Sequence, residues 1–445
     1  MLPVKTILAV VTFAVIVVAP PLRIFDTASI PKVWDLPLPK REQVASGPTI
    51  ETLKAARAHV LEADVLNGKG GPLDHFYQAL AHGGLVRVVH FGDSPTTGDL
   101  ITADARAAMQ KEFGNAGAGF LLITKPWAWY NHRGVVMDAS GWQMEIAGVS
   151  ELKDGLYGLG GARFIGGKDA EASWLVGGGQ RSVEVAFLAS PGGGTFAMEA
   201  DGKEIGSFET DASEAGPGFA TFALPAGSSA FRLHVTAGSV QLFGVEFQRD
   251  KNGVIYSALG VNGANVTLLS RAYNQRHLSA ELRHYHPDLV VLAYGTNESG
   301  FPNFVDSTWG DEMRLAVKRI RAALPDASIL LMSPMDRGEL KEDGTIRTID
   351  ALPRLVEKEK GIAAELGVAF FNTYQAMGGS GTMAKWYAAE PRLVGADYIH
   401  PMPAGAKIVG ELLSGALDDG YNEYKRRMQI RQETAEGTVR RTTAP

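Results

Sequence analysis

The sequence predicts an α/β fold, a parallel sheet flanked by helices, with a β-sandwich inserted into it. Three observations carry this. First, residues 85–91, 289–294, 328–332 and 368–372 are short apolar runs with the length and composition of strands buried on both faces. Second, helix-length stretches separate the last three runs, the alternation that right-handed crossovers produce. Third, residues 172–247 show short alternating segments instead, such as Ser182-Val183-Glu184-Val185-Ala186-Phe187, Phe231-Arg232-Leu233-His234-Val235 and Gln241-Leu242-Phe243-Gly244-Val245. Turns like Pro191-Gly192-Gly193-Gly194 and Asp201-Gly202 bound them, which is the pattern of a β-sandwich. The sheet resumes after these segments, so the sandwich is an insertion.

Taken in order, Lys5 precedes an apolar run over 7–19 that Pro20-Pro21 stops. This run is shorter than the ~20 residues of a full bilayer span. Without a clear small-x-small cleavage site after it, residues 1–22 read as either a signal peptide or an uncleaved membrane anchor. Residues 23–47, with Pro31, Pro37, Pro39, Lys40 and Arg41, read as an exposed linker. Leu53, Ala56, His59, Val60 and Ala63 fall on one face of an expected helix, and a second short helix is expected over 73–81. The α/β domain is thus expected in two parts, 48–170 and 251–420, around a sandwich at 171–250. A last helix, entered through Pro401 and Pro403, is expected to reach about residue 417. Residues 421–445 are charged and poor in apolar side chains, and most of them read as a solvated or disordered tail.

Composition removes several classes of function. The 445 residues hold 45% hydrophobic and 21% charged residues, an ordinary globular balance, at a length that suggests more than one core. A formal charge of -6 offers no electrostatic footprint for nucleic acid. The absence of cysteine excludes disulfides, thiolate nucleophiles and Cys-based zinc sites. His284 and His286 could suggest a metal pair, but fit a helix end at the surface better, and no metal or other cofactor is expected.

Four separated pieces together suit acyl transfer. Gly92-Asp93-Ser94 follows the strand at 85–91 and precedes a helix, which puts the Ser94 hydroxyl at the carboxyl end of the sheet, with Pro95 at a first helical position. Ser94 also suits a helix N-cap. Asn297, in Gly295-Thr296-Asn297-Glu298, follows the strand at 289–294 and could donate to a developing oxyanion, or serve as a turn residue. Gly263 lies in the loop after the strand that re-enters the domain, where the lack of a Cβ lets a backbone N–H approach a ligand. Asp397 and His400 lie in a Pro-bounded loop near the domain's end, an orienting carboxylate and a general base for Ser94. An aromatic cluster, Trp127, Trp129 and Tyr130 with Trp142 nearby, suits either sugar rings or packing.

These four pieces together resemble the SGNH (GDSL-like) hydrolase superfamily, in which the equivalents of Ser94, Gly263, Asn297, Asp397 and His400 carry catalysis. The resemblance spans about 85–418 and implies a flavodoxin-like sheet, with Ser94, Gly263 and Asn297 as the oxyanion hole. A narrower likeness is to bacterial peptidoglycan O-acetylesterases. It rests on Thr96, Gly98 and Asp99 after the serine, Phe113-Gly114 through Gly119-Phe120, Gly158-Leu159-Gly160-Gly161, Met377-Gly378-Gly379, Trp386 and the inserted sandwich. Pro95 departs from that pattern. The likeness implies an exported, cofactor-free esterase, periplasmic or envelope-associated, that deacetylates an O-acetylated polysaccharide, and an insertion of jelly-roll-like, carbohydrate-binding type. A transferase moving the acetyl group to another sugar hydroxyl would use the same residues, and a non-catalytic glycan-binding protein is the remaining alternative.

Overall fold

The computed structural model describes residues 66–67, 71–149, 154–249 and 252–442. The leader, the linker and the helix expected from Leu53 to Ala63 lie outside these residues. Among the described residues, no helix is long and apolar enough to cross a membrane.

One sheet is built from β1 (Leu66–Asn67), β2 (Leu85–Gly92), β12 (Gly253–Gly260), β13 (Leu289–Ala293), β14 (Ser328–Met332) and β17 (Ala369–Phe371). Its order is β1-β17-β14-β13-β2-β12, parallel throughout except for β1. Four of these strands are the apolar runs expected from the sequence. They are apolar because both faces are covered. Val86 and Val88 point to one core with helices α1 (Asp74–His82) and α3 (Ile101–Phe113), while Val89 and Phe91 point to the other. That second core also takes in α4 (Gln275–Tyr285), α5 (Trp309–Ala323) and α6 (Ala351–Leu366). The chain leaves β2 for β12 on one side and then crosses to β13 on the other, so the switch point of the sheet lies at the carboxyl end of β2.

The antiparallel insertion forms a nine-stranded sheet. Its strands are β3 (Gly117–Leu121), β4 (Val135–Ile146), β5 (Ala162–Val176), β6 (Ser182–Ala189), β7 (Thr195–Ala200), β8 (Lys203–Glu209), β9 (Gly216–Ala223), β10 (Ala230–Ala237) and β11 (Val240–Gln248). The path β8-β7-β10-β5-β11-β6-β9 curls until its ends meet. Phe196 of β7 lies 6.1 Å from Phe222 of β9, and Phe208 of β8 lies 5.3 Å from Phe187 of β6. The result is a barrel-like body. It begins well before residue 171, because β3, β4 and most of β5 are hydrogen-bonded into it.

The C-terminal segment also differs from expectation. The last helix, α7 (Pro403–Thr442), does not stop near residue 417. Tyr421 and Tyr424 are buried against Tyr77 of α1, and Arg427 pairs with Asp74 at 2.6 Å. Aromatic residues spaced three apart give the charged segment a seam to pack, so residues 421–428 extend the helix instead of forming a solvated tail.

Candidate active site

Register brings the site together. Gly92 of β2 lies beside Gly260 of β12 and Ala293 of β13, so these three strands end level with one another. The loops carrying Ser94, Gly263 and Asn297 therefore leave the sheet at one edge. Their approach is close. A Cβ on Gly260 would lie 2.1 Å from the backbone nitrogen of Thr97, so only glycine lets β12 pass the Ser94 turn.

Ser94 opens the short helix α2 (Ser94–Thr97), with Pro95 in its first turn. Its hydroxyl does not cap that helix. Ser94 Oγ lies 2.8 Å from His400 Nε2, and His400 Nδ1 lies 2.6 Å from Asp397 Oδ2. A carboxylate can only accept, so Nδ1 carries the proton, and Nε2 is left with a lone pair to accept the Ser94 O–H.

The Asp-x-x-His segment organises itself. Asp397 Oδ1 accepts the backbone N–H of Ile399 at 3.0 Å and of His400 at 3.1 Å, which frees Oδ2 for the ring. Tyr398 between them has φ 59°, an uncommon conformation for a residue with a side chain. Partial burial opposes ionisation of Asp397, but the hydrogen bonds from the His400 ring and the two backbone amides outweigh it and hold the carboxyl below its ordinary range.

Gly263 has φ 71° and is exposed, and its N–H donates to nothing among the described residues. Asn297 Nδ2 donates to the Ala264 carbonyl at 2.8 Å, which binds the Asn297 turn to the Gly263 loop and leaves one amide hydrogen over. The Ser94 N–H is among the first in its helix and has no intrahelical acceptor. All five residues singled out in the sequence thus stand at one edge of the sheet.

Sequence reasoning missed the carboxylate that joins these loops. Buried Glu298 accepts the N–H of Val266 with Oε1 at 2.9 Å and of Gly295 with Oε2 at 3.0 Å. It also accepts from Trp309 Nε1 at 3.4 Å. Burial raises its pKa, against these donors. Neighbouring Asp93 is pushed up to about 7 by burial and then by the charge of Glu298, with a hydrogen bond from Thr296 opposing. Nothing in the sequence marks Glu298 as buried.

The aromatic cluster divides. Tyr130 is a packing residue: it is buried, and its hydroxyl accepts the Leu122 N–H at 2.9 Å, so it is not available to a substrate. Trp127 is partly buried against the core, and Trp129 is 53% exposed. Their loop lies along the Ser94 turn, with Asn131 N–H donating to the Thr97 carbonyl at 3.4 Å. His284 faces Glu184 at 3.0 Å and stacks on Phe219, and His286 is the left-handed C-cap of α4, so the two do not form a pair.

A nucleophile–imidazole–carboxylate chain at the switch point of a parallel sheet, with spare N–H donors on the two flanking loops, defines a serine hydrolase of the SGNH type. Residues 230–408 match the model of the GDSL-like lipase/acylhydrolase family, and the chain contains a domain of that family, an ester hydrolase. The match includes Gly263, Asn297, Asp397 and His400. Ser94 falls outside it, since most of the antiparallel insertion separates the serine from the matched part. Among solved structures, the chain is similar to a peptidoglycan O-acetylesterase, with a TM-score of 0.66 and 23% identity over 80% of this chain and 99% of that one. That likeness supports the fold. A family two carbohydrate esterase from Clostridium thermocellum, solved with cellohexaose, gives a TM-score of 0.27 and 14% identity over 63% of this chain and 100% of that one. A Bacillus subtilis protein gives 0.30 and 14% over 66% and 91%. No curated protein sequence matches.

Proposed function

We propose that this hydrolase is a cofactor-free serine O-acetylesterase of an exported, envelope-associated kind, acting on an O-acetylated polysaccharide with peptidoglycan as first candidate. The observation that carries the reading is the hydrogen-bonded chain from Ser94 through His400 to Asp397. Ser94 Oγ attacks the acetyl carbonyl while His400 Nε2 takes its proton. The oxyanion is met by N–H groups of Ser94, Gly263 and Asn297. His400 then returns the proton to the departing sugar oxygen, which leaves an acetyl-serine. Water, deprotonated by His400, attacks this ester and releases acetate and Ser94. Asp397 keeps the ring in the tautomer required and stabilises the imidazolium between the steps. Exposed Trp129 beside the Ser94 turn offers a flat apolar surface to a sugar ring.

The test is acetate release from O-acetylated peptidoglycan by the wild-type protein and by Ser94→Ala. Release by the wild type and none by a folded Ser94→Ala variant is expected. Undiminished release by the variant would refute the acyl-serine pathway, and acetate recovered on an added glycan would indicate transfer.

A further inference from the structure

A second charged group stands at this edge of the sheet, and the chemistry above does not use it. Arg337 lies in the loop after β14, at the head of the hairpin formed by β15 (Gly338–Leu340) and β16 (Ile346–Thr348). Its chain runs between the two halves of the site. On one side, Nη1 donates to the carbonyl of Thr296, next to Asn297, at 2.6 Å and lies 3.4 Å from Ser299 Oγ. On the other, the N–H of adjoining Gly338 donates to the carbonyl of Tyr398, between Asp397 and His400, at 2.9 Å.

The loop is held firmly. Buried Asp336 accepts the Arg337 N–H and the Thr348 hydroxyl with Oδ1, and the Met383 N–H with Oδ2. The guanidinium sits against Gly300, where a Cβ would come within 3.1 Å of Nη1 and 3.2 Å of Nη2. With Nη1 fixed, the Nε–Nη2 edge presents two parallel N–H groups that donate to nothing among the described residues. Those two groups are the half of the fork that matches a carboxylate bidentately.

The charge has no protein counter-ion among the described residues. Arg337 takes part in no salt bridge among the described residues, and the two acids within its field are engaged elsewhere, Glu339 with Lys341 and Asp397 with His400. Burial draws its pKa below the ordinary value, with Glu339 and Asp397 opposing, which marks a cation that gains from an incoming anion. Phe301, next to Gly300, is 67% exposed.

We propose that Arg337 anchors the substrate through a carboxylate carried by the acetylated sugar, so that the preferred substrate is an anionic glycan. The inference rests on the esterase reading and narrows its substrate. The carboxylate can be that of a hexuronic acid or the lactyl ether of a muramic acid. In peptidoglycan the latter is free only where the peptide has been removed, so an amide-cleaving step would come first.

The experiment compares kcat/KM for two pairs of O-acetylated sugars, a hexuronic acid with its methyl ester and N-acetylmuramic acid with its methyl ester. In the wild type, one free acid is expected to exceed its methyl ester by about ten- to a hundredfold, mostly through KM, the range for a hydrogen-bonded charge pair. The pair that discriminates identifies the carboxylate. In Arg337→Met that ratio falls toward one, and in Gly300→Ala, which displaces the guanidinium without removing it, it falls severalfold. The ratio is unaffected by a loss common to both esters, so a merely supporting role for Arg337 would lower both rates and leave it unchanged. An unchanged ratio in these variants, or equal rates on acid and ester in the wild type, would overturn the anchor. Should Arg337→Met not fold, Gly300→Ala and the wild-type comparison decide. A wild type that cleaves none of the four esters overturns the esterase reading along with the anchor.

Discussion

Replacing Asp397 separates its two tasks. One oxygen accepts two backbone amides and shapes the turn, and the other accepts the imidazole N–H. In Asp397→Asn the amide oxygen can keep the turn, while the amide nitrogen, a donor, faces Nδ1. The ring must then carry its proton on Nε2 and point it at Ser94, and the base is lost. Loss of the competent tautomer is expected to lower kcat by about three to four orders of magnitude. Stability should change by less than about 1 kcal/mol, since the turn survives. Asp397→Ala removes the base's partner and also leaves two amides without their acceptor around Tyr398, held at φ 59°. The site is about half exposed, so water replaces part of what is lost, and about 1 kcal/mol of additional destabilisation is expected. Acetate release and urea unfolding on both variants measure the two effects. Because its native pKa is lowered, Asp397 contributes stability above its ordinary range and loses it as pH falls through the lowered value. An Asn variant that keeps kcat within tenfold of wild type would refute the tautomer argument, and an Ala variant as stable as the Asn variant would refute the turn argument.

Asn297→Ala should lower kcat by about two to three orders of magnitude with KM within a few-fold, because its amide acts mainly on the oxyanion; steady-state kinetics on a soluble acetyl ester check this, and an unchanged kcat would remove Asn297 from the oxyanion hole. Buried Asp93, raised to about 7 from the usual 3.8, holds its proton in the native state where the unfolded chain has lost it. Its contribution is therefore fully present below about pH 4 and is lost as pH rises through about 7, on the order of 4 kcal/mol in all. Urea midpoints at pH 5 and 8 should fall with pH more steeply in wild type than in Asp93→Asn, and parallel slopes would show that Asp93 is not the group responsible.

The sequence discloses those parts of the site that depend on chain order. Ser94 and Asn297 each follow a Val- or Leu-rich run by a few residues, and a parallel sheet lines up the carboxyl ends of such runs, so their meeting could be inferred without coordinates. Asp397 and His400 were legible because three residues suffice for the carboxylate to cap its own turn and reach the ring. Gly263 needed the family likeness, since one glycine in a loop carries no chemical signal. What stayed hidden depends on pairing across the chain. Glu298 looks like a surface acid until Val266 and Gly295 are found donating to it. Arg337 is some forty residues from the turn it grips, and Gly260 shows its necessity only against Thr97. Tyr130 looked available because a tyrosine's exposure is not written in its neighbours. The charged residues 421–428 looked solvated because Tyr421 and Tyr424 are too few to register as an apolar face, although α1 buries both.

The inserted body is joined to the site by the same kind of long-range packing. β3 lies between the two sheets: it pairs with β11, and its Phe120 N–H donates to Ser257 Oγ of β12 at 3.1 Å. Gln110 of α3 reaches the Gly117 and Val254 carbonyls at 2.8 and 3.0 Å, tying β3 and β12 to the helix that follows Ser94. Buried Glu246 of β11 forms an ion pair with Arg87 of β2, whose guanidinium lies over Tyr285. Phe120, Phe243 and Phe247 share one apolar cluster with Val89, Phe91 and Leu259. An ion pair this deeply enclosed gives little net stability but is costly to break from one side, so it fixes how β11 sits on β2. β12 leads directly to Gly260 and the Gly263 loop. Anything that shifts the insertion therefore bears on β12 and on the spacing between Gly263 and Ser94. The antiparallel body is a wall of the α/β domain, and its first effect on the candidate site is to fix the spacing between the Gly263 loop and Ser94.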